Sequence, residues 1–402
     1  MKRILFMCIN MNIGGTEKAL LTMLNEIGSS KYDITLLMLE EYGGFLNEIP
    51  SFVKVKYVNE YKNIKPLIKE PPKLLAKELI RNRKYLKGLL ILLNYSISKI
   101  TNNTSYYYKY ISKNIRNIEE DYDLAVAYAG PMDFITYFVL NKIKAKKKVQ
   151  WIHFDITKIG FNKKFAEKNY KKFDKIFVVS EEGKEKLINL IPALNNKVEA
   201  FFNIISCNLI ENMSKNEKGF DDSFNGVRIL TVGRLSKEKG QDLTINVLAR
   251  LKNEGYNIKW YCIGDGPEKD NYKQIIKNLN IENDYILLGS KLNPYPFMKY
   301  CDIYVQPSRY EGYCITLGEA RCFDNPIVTT NFTGANEQIK NEVTGLICDI
   351  SEEGIYKSVK RLLDDKDLYT NIKINININI NISKEIVDST NEISKLDKVL
   401  NS

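Results

Sequence analysis

The stretch KRILFMCINMNIGGTEKALLTMLNEIGSSKYDITLLML, residues 2 to 39, decides the fold class. It opens with KRILFMCIN, a near-continuous apolar run of the kind found in strands buried on both faces. NIGGTEKALLTMLNEIG then sets a Gly-Gly turn before apolar positions at helical spacing, and YDITLLML is a second apolar run. Strand, turn, helix and strand within about 40 residues is a βαβ unit, which calls for a parallel sheet.

Outward from that unit the theme continues. DLAVAYA (123–129), KKVQWIHF (147–154) and KIFVVS (175–180) read as further strands. Between Asn203 and Gly226 the pattern dissolves into polar residues, and VRILTVG then restarts it, followed by QDLTINVLARLKNEG, IKWYCIGDG, YILLG, DIYVQPS, PIVTT and TGLICDI. The chain of 402 residues is too long for one ordinary core at about 150 residues per domain. The reading is α/β, with two doubly wound domains: residues 1–203, residues 204–385, and a helix over 386–402 that packs back on the first domain. NIKININININIS, residues 371–383, alternates with period two, which is on its face a strand pattern; its composition also suits a low-complexity tail.

The net charge of +10 is localised. Residues 61–118 hold thirteen Lys and Arg against two Glu, so the excess describes one surface and its partner. In PPKLLAKELIRNRKYLKGLLILL, Lys73, Lys77, Arg81, Lys84 and Lys87 step by 4, 4, 3 and 3, one face of a single predicted helix with leucines opposite. Basic amphipathic helices bind anionic lipid; a solvated face is the plain alternative, and no nucleic-acid motif appears. Seven cysteines without a C-x-x-C pair read as reduced thiols in a cytosolic protein. MKRILFMCINMNIGG lacks a small-residue cleavage site and reads as a strand rather than a signal peptide. The longest apolar run elsewhere, Gly88 to Leu93, falls far short of the roughly 20 residues that span a bilayer.

Ligands of doubly wound sheets bind beyond the carboxyl ends of the strands, so the loops there carry the candidates, and two such domains make a cleft. Gly14 and Gly15 precede a helix whose backbone amides face an anion. Arg234 and Lys239 follow VRILTV, where two cations can neutralise a diphosphate. IGDGP is not a G-x-G-x-x-G fingerprint, and no Walker sequence occurs, which argues against a dinucleotide or ATP enzyme. In PSRYEGYCITLGEARCFDNP, Glu311 lies in a loop before Gly312, ITLGEARCF reads as a helix, and Glu319 falls a turn inside it. A carboxylate accepts two hydrogen bonds at once, which suits a sugar diol. His153 is the only histidine; on its own it reads as a core residue, and it excludes a multi-histidine zinc site.

Taken together, GGTEKALLTMLN, GRLSKEKGQD, IGDGPEKDNY, PSRYEGYCITLGEA and TGANEQIKNEVTGLI resemble the retaining glycosyltransferases of family 4, which have the GT-B fold, and within them the bacterial enzymes of capsular and other surface polysaccharides. The resemblance implies roles. Arg234 and Lys239 would hold the nucleotide diphosphate and stabilise it as a leaving group. Glu311 and the backbone of Gly312, Tyr313, Cys314 and Ile315 would grip the transferred sugar, and Glu319 would take the ribose. Gly14 and Gly15 would lie near the phosphates, and His153 near the sugar. It further implies retention of anomeric configuration; with no carboxylate nucleophile in the set, front-face displacement is the expected route. With the basic segment the expectation is transfer from a nucleotide-sugar, a UDP-sugar first, to a lipid-linked or oligosaccharide acceptor at the inner face of the membrane. No metal or cofactor is expected, since no D-x-D accompanies these motifs. A catalytically silent scaffold of the same fold would tend to lose the charged set, and a sugar-nucleotide epimerase would need acid and base residues that this set does not supply. Residues 60–120 match no motif, so acceptor identity is not legible.

Overall fold

The computed structural model describes residues 1–130, 132–382 and 389–402, with 379–382 described by backbone alone. It divides into two units, Met1–Phe202 with Thr390–Ser402, and Asn203–Ser389.

In the first unit the strands are β1 (Lys2–Cys8), β2 (Tyr32–Met38), β3 (Lys54–Tyr57), β4 (Ile118–Gly130), β5 (Ile143–Ile152), β6 (Lys175–Val178) and β7 (Val198–Ala200). They form one sheet in the order β3-β2-β1-β4-β5-β6-β7, and every pairing is parallel. The second unit holds β8 (Val227–Val232), β9 (Ile258–Ile263), β10 (Tyr285–Gly289), β11 (Ile303–Gln306), β12 (Ile327–Thr330) and β13 (Leu346–Cys348). Their order is β10-β9-β8-β11-β12-β13, again all parallel. In each sheet the order reverses beside the first strand, at β1/β4 and at β8/β11. Such switch points open a crevice at the carboxyl ends of the strands.

The apolar runs are continuous because both faces of each sheet are covered. In the second unit Ile229, Trp260, Ile303 and Val305 enter one buried cluster, while their alternates Leu230, Val232, Tyr261 and Tyr304 enter another across the sheet. Each fully buried aliphatic side chain of this kind contributes about 1.5–3 kcal/mol.

Three expectations change here. The segment predicted as one basic helix is two, Pro72–Arg81 and Tyr85–Ile100. Arg83 adopts φ 60, and Lys84 N–H donates to Leu79 C=O at 2.8 Å, the closing bond of a left-handed C-terminal cap. The second helix then packs against the first at Gly88, where a Cβ would meet Ile80 Cγ1 at 3.0 Å. Lys84 and Lys87 therefore do not continue the helical face of Lys73, Lys77 and Arg81.

The alternating Asn/Ile stretch, a strand pattern on its face but favoured as a low-complexity tail, lies up to Ile382 in a helix, Lys366–Ile382. Ile372 and Ile376, one turn apart, are buried in the core while Ile374 and Ile378 are exposed, a division a strand could not produce. Ser383, the end of that repeat, lies outside the described residues, as do the 385/386 boundary and the start of the helix read over 386–402. The described part of that helix is Ser389–Asn401, and from Thr390 onward it belongs to the first unit. There Ile393, Leu396 and Val399 are buried, Glu392 accepts from Phe202 N–H at 2.9 Å, and Lys31 pairs with Asp397 at 2.7 Å.

The thiols are not all reduced: Cys207 and Cys322 form a disulfide across Cα atoms 5.2 Å apart. A separation of 115 residues leaves no spacing signal in the sequence.

Candidate functional site

The site of the second unit grows from the loops after β8 and β11. These loops lie against each other backbone to backbone, and glycine makes that approach possible. Gly240 has φ 73, and a Cβ there would sit 2.1 Å from Pro307 O; such contact excludes any side chain. Side chains then tie the loops together. Gln241 Nε2 donates to Arg234 O at 2.8 Å. Arg309 grips Asp242 with both terminal nitrogens, at 2.8 and 2.6 Å, and donates to Lys237 O at 2.7 Å.

This scaffold brings Lys239 to Glu311, with Nζ 2.6 Å from Oε1. The two side chains are 22% and 11% exposed, so the pair is largely shielded from water. Burial alone pulls the Lys239 pKa down; the Glu311 charge and its hydrogen bond more than offset this, and the net shift is upward. Behind the pair runs a buried relay. Ser308 Oγ donates to Glu311 Oε1 at 2.7 Å, Gln306 Nε2 to Ser308 Oγ at 2.9 Å, and Tyr304 O–H to Gln306 Oε1 at 2.8 Å. Both donors on Glu311 use Oε1, so its second oxygen is left for another hydroxyl.

Beyond Glu311, the backbone of Gly312, Tyr313 and Cys314 is buried and Ile315 half-buried. Cys314 adopts φ 56, ψ 85, a left-handed conformation that side chains resist and that is typical of functional sites. Gln338 Nε2 donates to Tyr313 O and holds this turn. The predicted helix ITLGEARCF is shorter than expected, Ile315–Ala320; Arg321 to Phe323 continue it as turns. Glu319 is 3% exposed and accepts from Tyr295 O–H at 3.0 Å, whose own ionisation is suppressed by burial and by the Glu319 charge. The Cys207–Cys322 disulfide staples the end of this segment. Arg234, by contrast, is exposed.

Gly14, Gly15 and His153 lie in the first unit, at the carboxyl ends of β1 and β5. The helix Gly15–Ile27 begins as expected, and its first turn carries a charge of its own. A Cβ on Gly14 would lie 2.5 Å from Glu17 Oε2, so a carboxylate already stands where an anion was expected. His153 is buried, 4.5 Å between ring centres from Tyr128 and stacked on Trp151. Burial pushes its pKa down to about 3, against the opposing effect of a hydrogen bond to the Tyr128 backbone. Its Nε2 is buried without a hydrogen-bond partner among the described residues, and with this pKa the ring is neutral at physiological pH.

The membrane candidates Lys73, Lys77, Arg81, Lys84 and Lys87 are all exposed. Sequence reading missed Gln241, Arg309, Ser308, Tyr295 and Gln338. Only Arg309, two residues before Glu311 in the same motif, carried a signal in its charge.

Two units, each a doubly wound parallel sheet, give the GT-B fold. Anabaena Alr3699/HepE in complex with UDP and glucose shares this fold at TM-score 0.71 and 18% identity, over 99% of this chain and 100% of that one. Residues 215–377 match the family described as glycosyl transferases group 1. The N-acetylgalactosamine-N,N'-diacetylbacillosaminyl-diphospho-undecaprenol 4-alpha-N-acetylgalactosaminyltransferase of Campylobacter jejuni is 31% identical over 50% of this chain and 53% of its own length. The capsular polysaccharide biosynthesis glycosyltransferase CapM of Staphylococcus aureus is 27% identical over 49% and 54%. The chain spans about half the length of these curated relatives.

Proposed function

We propose that this protein is a retaining glycosyltransferase of surface polysaccharide biosynthesis, moving a sugar from a UDP-sugar to a lipid-linked or oligosaccharide acceptor. The observation that carries this reading is the Lys239–Glu311 pair at the β8/β11 switch point, where one group suits a diphosphate and its neighbour a sugar. The names of the similar proteins support donor and acceptor class: HepE holds UDP and glucose, and the Campylobacter enzyme is named for an undecaprenol diphosphate.

In this reading the acceptor oxygen attacks the anomeric carbon on the face from which the diphosphate leaves. The anomeric C–O bond breaks, the leaving phosphate oxygen takes the acceptor proton, and Lys239 with Arg234 stabilises the charge that develops. Glu311 Oε2 accepts from a sugar hydroxyl, Glu319 from the ribose, and the turn Gly312–Ile315 lines the sugar. By the same resemblance His153 stands near the sugar, and Gly14 and Gly15 border the phosphates. The cations act in place of a divalent ion, and no cofactor is needed. The place of action is the inner membrane surface, where an anionic bilayer is a further partner.

The test is a panel of UDP-, GDP- and other activated sugars, scored for nucleotide release with and without a polyprenyl-linked acceptor. Acceptor-stimulated release from one donor, lost in Lys239→Ala, is expected. No release from any donor, with nucleotide affinity unchanged in Glu319→Ala and Lys239→Ala, would overturn the reading.

A further inference from the structure

The Tyr85–Ile100 helix has two apolar sides, and only one of them is used by the fold. Gly88, Ile91 and Ser98 are buried, with Ile91 in the core cluster of the first unit. On the other side Leu86, Leu89, Leu93 and Ile100, spaced 3, 4 and 7 residues apart, form one stripe. They are 70%, 62%, 52% and 85% exposed. Ile80 and Tyr85, which flank the turn, and Leu74 near the start of the first helix are exposed as well. Isolated exposed leucines need no explanation, but a contiguous stripe of them marks a contact surface.

The same helical pair carries Lys73, Lys77, Arg81, Arg83, Lys84 and Lys87, all exposed. None of the six makes an ion pair with a described residue. From 71 to 118 the sequence offers a single carboxylate, Glu78. The cations therefore remain available to an outside partner. Aliphatic side chains at the apex with unpaired cations beside them match one kind of surface, an acyl interior beneath a layer of phosphates. A second copy of the chain fits less well, since stripe against stripe brings two uncompensated basic patches together. Nucleic acid would call for stacking platforms rather than leucines.

We propose that the helices Pro72–Arg81 and Tyr85–Ile100 form a docking wedge for an anionic bilayer, with Leu86, Leu89, Leu93 and Ile100 entering the acyl boundary and the cations resting at the phosphates. This adds insertion to simple electrostatic attraction. The lipid contact does not depend on the transferase reading, although it places that activity beside a lipid-linked acceptor.

The test uses the full chain with neutral phosphatidylcholine vesicles and with vesicles carrying phosphatidylglycerol. Wild type should sediment with the anionic vesicles only. Leu86→Ser/Leu89→Ser/Leu93→Ser should bind at least about tenfold more weakly, and Lys77→Glu/Arg81→Glu/Lys84→Glu by roughly a hundredfold. Because these side chains are exposed, both variants should keep the wild-type Tm and UDP affinity, which separates failure of docking from failure of the nucleotide site. A Leu89→Trp variant reports insertion directly: brominated lipid should quench its added indole, while the buried Trp151 and Trp260 stay out of reach. Equal binding by the serine variant, or unquenched emission from the Leu89→Trp protein when bound, would leave attraction without insertion and overturn the wedge. A dimer in solution that the serine variant abolishes would assign the stripe to a second copy instead, and likewise overturn it.

Discussion

Lys239 Nζ and Glu311 Oε1 are 2.6 Å apart and join the loop after β8 to the loop after β11. Each neutralises the other, so removing one strands the other in a poorly solvated place. Lys239→Met should therefore cost about 2 kcal/mol of stability in denaturant unfolding, and Lys239→Met/Glu311→Gln less than the two single changes added together. Additive costs would mean the two groups do not sense each other. The Lys239 pKa is raised, so this contribution is fully present below the ordinary lysine value and is lost only as pH climbs through the folded one.

Tyr295 supplies Glu319 with a hydrogen bond inside the fold at 3.0 Å. Tyr295→Phe removes that donor and leaves the carboxylate less well solvated, at a cost of about 1–3 kcal/mol. If Glu319 holds the ribose, UDP affinity should fall with it, and the loss should appear in KM for the donor more than in kcat. Calorimetric titration with UDP checks the first point; unchanged affinity would reduce Glu319 to a structural carboxylate.

The single histidine permits an unambiguous titration. With its pKa pushed down to about 3, His153 should show no imidazole chemical-shift change between about pH 5 and 8, the window in which an ordinary histidine titrates. Its contribution to stability is present above the ordinary value and is lost as pH falls through the folded one. Asp133 acts oppositely. Burial raises its pKa to about 7, so its contribution is present at low pH and lost as pH rises towards that value. Between these limits the two slopes offset each other. Asp133→Asn should accordingly gain stability relative to wild type as pH rises from about 4 to 7; an unchanged difference across that range would mean its carboxyl is not buried neutral.

What the sequence made legible follows from physics that is local in the chain. Continuous apolar runs located most strands, and period-3.6 apolar patterning the helices between them. The motif loops could be placed because they follow strands. The contacts that set the site were not local. Lys239 meets Glu311 only because β11 lies beside β8, and Arg309 reaches Asp242 for the same reason. The turn at Arg83 was missed because the polar run 81–84 was read as a continuing charged face, while the structure closes the first helix there with a left-handed cap and packs Gly88 against Ile80.

The Asn/Ile stretch gives a sharper case. Period two says strand, yet the helix Lys366–Ile382 buries Ile372 and Ile376 and exposes Ile374 and Ile378. Ile376→Asn should cost about 2–4 kcal/mol and Ile374→Asn under about 0.5. Equal costs would restore the strand reading.

Gly240 and Gly255 form a matched pair for the last prediction. Both have positive φ, 73 and 89, so alanine at either place meets the same backbone penalty of about 1 kcal/mol. At Gly255 nothing lies within 4 Å of the added methyl, whereas at Gly240 it would meet Pro307 O at 2.1 Å. Gly255→Ala should thus lose about 1 kcal/mol and keep full nucleotide affinity. Gly240→Ala must push the loop of Lys239 away from that of Glu311, losing about 3 kcal/mol or more and weakening UDP binding. Urea unfolding and UDP titration on both variants separate the two terms. If both variants lose the same stability and neither loses affinity, the close approach of the two loops is not what positions Lys239.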